Sequence, residues 1–354
     1  MLRGVDQAPD PRRMEGVQPP GTCASVMDVP NTTDPLALDL TATATAICEG
    51  MRDTVRSLGR RGVVLGISGG IDSSCCAGLA VQAFGPAKVM LLRMPEKDVG
   101  TSSSDLGLTL AEHLGAPTVE ENISEALEGL GCYRRRDEAL VEIFPEYLPS
   151  WKHKVVRSAP GGIVTFKAVV QKDDGSFDER RIPAGAYRKL IAATNMKQRV
   201  RKLIEYTWAD NLGYAVIGTP NKLEYDQGFF VKGGDGLADV KPIARLYKTQ
   251  VYALANHLGL PDVITSRSPT TETFSLPQSQ EEFYYGYPHE TMDLIAWGFD
   301  SGADAARVAP LAGLDADEIE RAYDELRRVR AATAYLHAPA HLVDLDGSHA
   351  PARR

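Results

Sequence analysis

Cysteine and histidine are sparse in this chain of 354 residues, with five and seven respectively. Cys23, Cys48, Cys75, Cys76 and Cys132 form no Cys-x-x-Cys pair, and the histidines are scattered. That spacing argues against a zinc site and against a disulfide framework. It suits a reducing, cytoplasmic setting. No run of about 18 apolar residues is present, so a membrane span is not expected. The opening residues, MLRGVDQAPDPRRMEGVQPPG, hold no apolar signal core. Positive charge is in deficit too. Lys and Arg number 39 against 47 Asp and Glu, a formal net charge of -8. That balance argues against a surface that coats nucleic acid.

What the chain does have is alternation of strand and helix signals. Leu38, Leu40, Ile47, Met51, Val55 and Leu58 recur at helical spacing within 36–60, which predicts a helix. A strand over 63–67, a helix over about 72–84, a strand over 87–94 and a Ser-capped helix over 102–115 follow. This pattern implies an α/β fold, a Rossmann-like parallel sheet with helices on both faces. Further helices are expected over 186–212, 244–258 and 315–335, with a strand over 214–219. Residues 263–290 read as a long polar loop. Residues 150–185 break the alternation. They read as two or more strands, an inserted β-hairpin element with Asp174-Gly175 at its turn, either a solvent-facing hairpin or a lid or oligomer contact. Residues 1–35, rich in Pro, Gly, Asp and Thr, read as a poorly ordered tail. Residues 36–340 then form one domain, and 341–354 a second tail.

The densest signal is GVVLGISGGIDSSCCAGLA, residues 62–80. An apolar strand enters a turn of small residues and leaves as a helix. Glycines there let backbone N–H groups approach an anion closely, and the helix N-terminus adds partial positive charge. Ser68, Ser73 and Ser74 add hydroxyl donors. The loop lacks the lysine of a Walker A sequence and the spacing of a dinucleotide fingerprint. A carboxylate at Asp72 beside bound phosphate needs a cation between them, and Mg²⁺ is the hard, oxygen-seeking ion that fits. The alternative role for Asp72 is to cap the helix.

SGGIDSS resembles the pyrophosphate-binding loop of the ATP pyrophosphatase superfamily, whose members have the adenine nucleotide alpha-hydrolase-like fold. Further strings narrow the resemblance: NMKQRVRK (195–202), IGTPNKLEYDQGFFVKGGDGLADVKPI (217–243), LYKTQV (246–251) and SPTTE (268–272). Together they resemble the NAD synthetase family in its ammonia-dependent form, over roughly 45–275 apart from the β insertion. The resemblance implies an ATP-dependent, AMP-forming ligase that amidates deamido-NAD through an acyl-adenylate. It implies that Gly66, Ser68, Gly69, Gly70, Asp72, Ser73, Arg93, Thr219, Lys248 and Thr270 bind ATP. Asp72 and Glu224 then hold Mg²⁺. Arg199, Lys232, Asp239 and Phe229 hold the dinucleotide substrate, and Asp72, Lys248 and Asp235 take part in catalysis. It also implies a homodimer.

Three departures fall on the acceptor side: the insertion, the aromatic-rich stretch after Pro269, and Arg328-Val329-Arg330 where a His-Lys pair is usual. They motivate an alternative, a related amide ligase acting on another carboxylic acid. No glutaminase module is visible, so ammonia is expected either free or from a separate protein. A tRNA-modifying thiolase would want a reactive cysteine in its own loop and a basic RNA surface. A regulator without turnover would need no metal clamp.

Overall fold

The computed structural model describes residues 34–98, 101–157, 165–268, 273–279 and 284–343, with the side chains of 101–104 excepted. Four strands form a parallel sheet: β1 (Val63–Gly66), β2 (Val89–Arg93), β3 (Thr118–Glu120) and β7 (Ala215–Val216), in the order β3-β2-β1-β7. The order reverses beside β1, which is where open α/β sheets form a crevice at the carboxyl ends of their strands. Strand pleating splits the apolar residues between two layers. Val63 and Leu65 face a core built with α1 (Leu40–Ser57), α2 (Ile71–Phe84), α3 (Thr101–Leu114) and α8 (Lys248–His257). Val64 and Leu92 face the other core, with Leu127 of α4 (Ser124–Gly129), Tyr133 of α5 (Cys132–Val141) and Val200 of α6 (Ala184–Leu212).

The expected insertion has three strands. β4 (Lys152–Arg157), β5 (Phe166–Gln171) and β6 (Phe177–Arg181) form a separate antiparallel sheet of three strands. The third strand arises because KHKVVR alternates: His153 and Val155 turn inward and pair with Val170 and Ala168. Asp174-Gly175 does make the β5–β6 turn, with Gly175 at φ 85° and the Asp174 carboxyl accepting from Ser176 N–H at 2.9 Å. One face of this sheet packs Val155, Ala168 and Val170 against Leu140, Phe144, Leu190 and Phe274.

Several boundaries move. The strand expected over 214–219 shrinks to β7 plus an isolated parallel bridge from Ile217 to Val240. The helix expected from 244 begins at Lys248, where Gln250 Oε1 accepts from Tyr247 N–H at 2.9 Å and Asp293 accepts from the Lys248 and Thr249 N–H groups. The serines expected to cap α3 lie inside it, since it starts at Thr101. The segment read as a polar loop holds a short helix, α9 (Asp262–Thr265), and buried Phe274, Leu276 and Tyr285. Beyond it α10 (His289–Ser301), α11 (Ala305–Ala312) and α12 (Ala316–His337) pack together around Ile295, Val308 and Ile319, with α7 (Lys222–Gln227) against them through Leu223. Only the last of the three C-terminal helices was expected. Leu36, at the edge of the expected tail, is buried in this cluster and its carbonyl accepts from Gln250. Residues 1–33 of that tail, and 344–354, lie outside the described residues.

Candidate active site

The turn after β1 folds on itself through its own serines. Gly69 sits at φ 78°, a region that glycine enters without penalty. Gly70 N–H donates to Ser68 Oγ at 3.2 Å, and Ser73 Oγ donates back to the Gly70 carbonyl at 3.0 Å. Gly70 is the N-cap of α2, and no side chain caps the helix. The first-turn N–H groups are therefore left for a ligand or water, beside the positive end of the dipole. Asp72 does not cap α2; its side chain turns elsewhere. Gly66 is a packing glycine, since a Cβ there would come within 2.7 Å of Met94 Cε.

Asp72 is held from two sides. Asn221 Nδ2 donates to Asp72 Oδ1 at 3.2 Å, and Lys248 Nζ pairs with Oδ2. The Lys248 side chain is only 3% exposed. Burial works to strip its proton, but Asp72 and then Glu224 outweigh burial and hold its pKa above the ordinary lysine value. Asn221 also starts α7 through a reciprocal cap: Glu224 N–H donates to Asn221 Oδ1 and Asn221 N–H to Glu224 Oε2, each at 3.1 Å. One asparagine thus joins the two expected metal ligands. The Asn-x-x-Glu spacing was a visible capping signal, yet the asparagine's second role, toward Asp72, has no local signature.

A cavity of roughly 360 Å³ opens beside the turn. Ser68, Gly70, Asp72 and Ser73 line one part, with Thr219, Pro220 and Glu224 from the β7–α7 connection. Phe229, Val231 and Asp235 line another, with Phe166, Tyr187 and Tyr284. Asp235 sits in a tight loop whose Gly236 could not carry a Cβ, which would meet Phe230 Cδ2 at 2.1 Å. Burial raises the Asp235 pKa, against the opposing pull of the Val231 N–H bond at 2.8 Å and of Lys202. Among the described residues no group of three or more His, Cys, Asp or Glu is poised to hold a metal ion by itself. One or two carboxylates plus substrate phosphate is a usual Mg²⁺ arrangement, and the carboxylates of Asp72 and Glu224 are oxygens of the kind it would use.

Other expected site residues fall outside this cavity. Arg93 ends β2 and pairs with Glu120 at 2.7 Å. Lys248 stands behind Asp72 and not among the lining residues. Arg199 Nε donates to the Lys232 carbonyl, and Lys232 Nζ to the carbonyls of Tyr335 and Ala338 at the end of α12. Asp239 accepts from Val216 N–H at 2.7 Å and lines a different depression, with Tyr206 and Tyr214. Arg330 pairs with Asp300 at 2.7 Å and ties α12 to α10. Thr270 lies outside the described residues. Sequence reasoning passed over Lys197, which is buried and pairs with Glu96 at 2.9 Å and Asp98 at 2.7 Å after β2. It also passed over Tyr187, Tyr284 and Phe166, which no local spacing connects.

An uncapped helix at the switch point of a parallel sheet, faced by two carboxylates, defines a nucleotide-binding α/β protein built to hold polyphosphate. The sequence pattern of the NAD synthase family matches residues 43–140 and 164–331. The chain belongs to that family. A curated relative from Rhizobium meliloti (strain 1021), named NH(3)-dependent NAD(+) synthetase, is 49% identical over 88% of this chain and 94% of its own length. Two solved structures share the fold. An NMN synthetase from Francisella tularensis has TM-score 0.61 and 21% identity, covering 87% of this chain and all of its own. An NH3-dependent NAD synthetase from Campylobacter jejuni has TM-score 0.56 and 20% identity, with the same coverages. The family pattern omits 141–163, which contains β4. Among the described residues no helix is long and apolar enough to cross a membrane.

Proposed function

We propose that the chain amidates deamido-NAD with ammonia while ATP is converted to AMP and pyrophosphate. The observation that carries this reading is one cavity lined both by the bare α2 turn with Asp72 and Glu224 and by a cluster of aromatic rings. The name of the Rhizobium meliloti relative supports the choice of acceptor.

The acceptor carboxylate attacks the α-phosphorus of ATP, and the bond to the leaving diphosphate breaks. The N–H groups and hydroxyls of Ser68 to Ser73 hold the diphosphate oxygens. Each oxygen of Asp72 and Glu224 carries more than one lone pair, so both side chains can ligate Mg²⁺ while keeping the bonds to Asn221 and Lys248. When bound, the ion supplies charge neutralisation on the leaving group. Lys248 keeps its proton and fixes Asp72 in place. Asp235, made more basic by burial, takes a proton from ammonium. The freed ammonia attacks the acyl carbon, and AMP departs with the electrons of the acyl–oxygen bond. The protein's share is positioning and charge stabilisation.

Thr219 on the ATP side and Phe229 on the acceptor side line the cavity. Roles for Arg93, Thr270, Arg199, Lys232 and Asp239 rest on the resemblance alone. The protein works in the cytoplasm as a homodimer, with ammonia free or supplied by a separate glutaminase. Buried free Cys48, Cys75, Cys76 and Cys132 suit a reducing compartment. The test is the purified chain with ATP, Mg²⁺, ammonium and deamido-NAD, read for NAD⁺, AMP and pyrophosphate in equal amounts. Absence of NAD⁺, with pyrophosphate released on a different carboxylate, would establish the alternative ligase.

A further inference from the structure

Two aromatic pairs line the cavity from elements that the nucleotide-binding turn does not use. Phe166 begins β5 and stacks on Tyr187 of α6, with ring centroids 4.5 Å apart and planes 16° apart. Phe229 stacks on Tyr284 at 4.3 Å and 18°. All four residues are half-buried and line the same cavity. The faces of such rings make no hydrogen bonds to phosphate oxygens, and the Tyr284 hydroxyl already donates to the Gln227 carbonyl. They suit a flat heteroaromatic ring, which gains both apolar contact and ring stacking.

One side chain ties the two pairs together. Arg157 ends β4 and lies directly opposite Phe166 in the strand register. Its guanidinium donates to the carbonyls of Tyr284 and Tyr285, and pairs with Glu325 of α12. The side chain is 7% exposed, so these bonds are shielded from water. The strand that carries Phe166 is therefore fixed to the backbone that carries Tyr284. Arg157 lies in 141–163, the stretch that the family pattern omits. Phe166 and the rest of β5 and β6 lie within the matched residues 164–331, so β4 with Arg157 is the strand of this sheet that the pattern omits.

We propose that the inserted sheet is the acceptor-selecting element: Phe166 stacks on the planar ring of the acceptor, and Arg157 positions Phe166 relative to Tyr284. The inference rests on the deamido-NAD reading given above. On this inference the insertion is part of the site.

The experiment uses the full chain and steady-state kinetics with deamido-NAD and ATP varied separately. Phe166→Ala is expected to raise KM for deamido-NAD about tenfold, from the loss of one stacked ring. KM for ATP should stay at the wild-type value. Phe166→Leu, which keeps apolar bulk without a flat face, should share most of the defect, and Phe166→Tyr should restore near-normal KM. Arg157→Gln should raise KM for deamido-NAD, not KM for ATP, with kcat changed less; a merely structural role would lower the melting temperature and leave that ratio alone. Wild-type protein that makes NAD⁺, alongside a Phe166→Leu variant with unchanged KM for deamido-NAD, overturns the inference and leaves the function standing. Equal rises in both KM values also overturn it. Wild-type protein that neither binds nor turns over deamido-NAD overturns the functional reading, and the inference with it.

Discussion

Replacing Asp72 by alanine separates the two duties that the structure gives this residue. The first is structural. Lys248 is buried at 3% exposure and Asp72 at 16%. Removing one partner of a buried ion pair costs about 3–5 kcal/mol, because the other charge is left uncompensated. Glu224 still acts on Lys248 and Asp72 is partly wet, so the loss falls near about 3 kcal/mol. With Asp72 gone, burial dominates Lys248 and its pKa falls. The ammonium that was stabilised up to high pH then becomes a liability at neutral pH. A domain of this size should melt roughly 5–10 °C lower. The second duty is chemical. Losing a preorganised group that stabilises transition-state charge costs about 10²–10³ in rate, so pyrophosphate release should drop at least that far. Differential scanning calorimetry reads the first effect and a coupled pyrophosphate assay the second. Lys248→Met alone, and Asp72→Ala with Lys248→Met together, complete a cycle. The double variant should regain part of the stability lost by the single variants and none of the activity. Strictly additive stabilities, or a wild-type rate of pyrophosphate release in Asp72→Ala, would refute the reasoning.

Three other perturbations probe separate features. Glu224→Gln keeps an oxygen for the Asn221 N–H but removes a charge that acts on buried Lys248, so its stability should fall by about 1 kcal/mol, less than for Asp72→Ala; its rate should fall about 100-fold and its Mg²⁺ requirement rise, and a normal Mg²⁺ titration would count against the ligand role. Because burial raises the Asp235 pKa, the acid limb of the rate should lie above the ordinary carboxylate range, and Asp235→Asn should remove that limb while slowing the ammonia-dependent step; a limb unmoved by the substitution would exclude Asp235 as the base. Burial pushes Asp293, which accepts N–H bonds from Lys248 and Thr249 at the start of α8, up to about 6. A carboxyl raised in the folded state favours folding at low pH, and that contribution fades as pH rises through the window from 3.8 to about 6. Carbon-detected NMR of the Asp293 carboxyl should show a midpoint near the upper value, and a midpoint at the lower would mean that the two N–H bonds outweigh burial.

Much of the nucleotide half was legible along the chain. Val63 to Leu65 announced a buried strand, and the run from Ser68 to Ser74 announced a bare turn, because its hydrogen bonds close within five residues. The family followed from several short strings in order, and the fold class from alternation alone. The C-terminal helices were less legible. Met292 and Ile295 of α10 are buried against α11 and α12, and their sequence reads as an aromatic-rich loop until that partner surface is present. Cations from distant parts of the chain converge only in part. Arg201, Lys202 and Lys241 act on Asp235 or on one another, whereas Lys232 is spent on the end of α12.

The residues themselves determined the bare turn: glycines and serines set a local backbone path, and the helix dipole follows from it. Tertiary structure alone decided what stands opposite. Lys248 meets Asp72 across 176 residues, and Arg157 meets Glu325 across 168. Contacts at such separation depend on how whole layers pack, and the entropy of closing so long a loop leaves no trace in any short stretch of sequence.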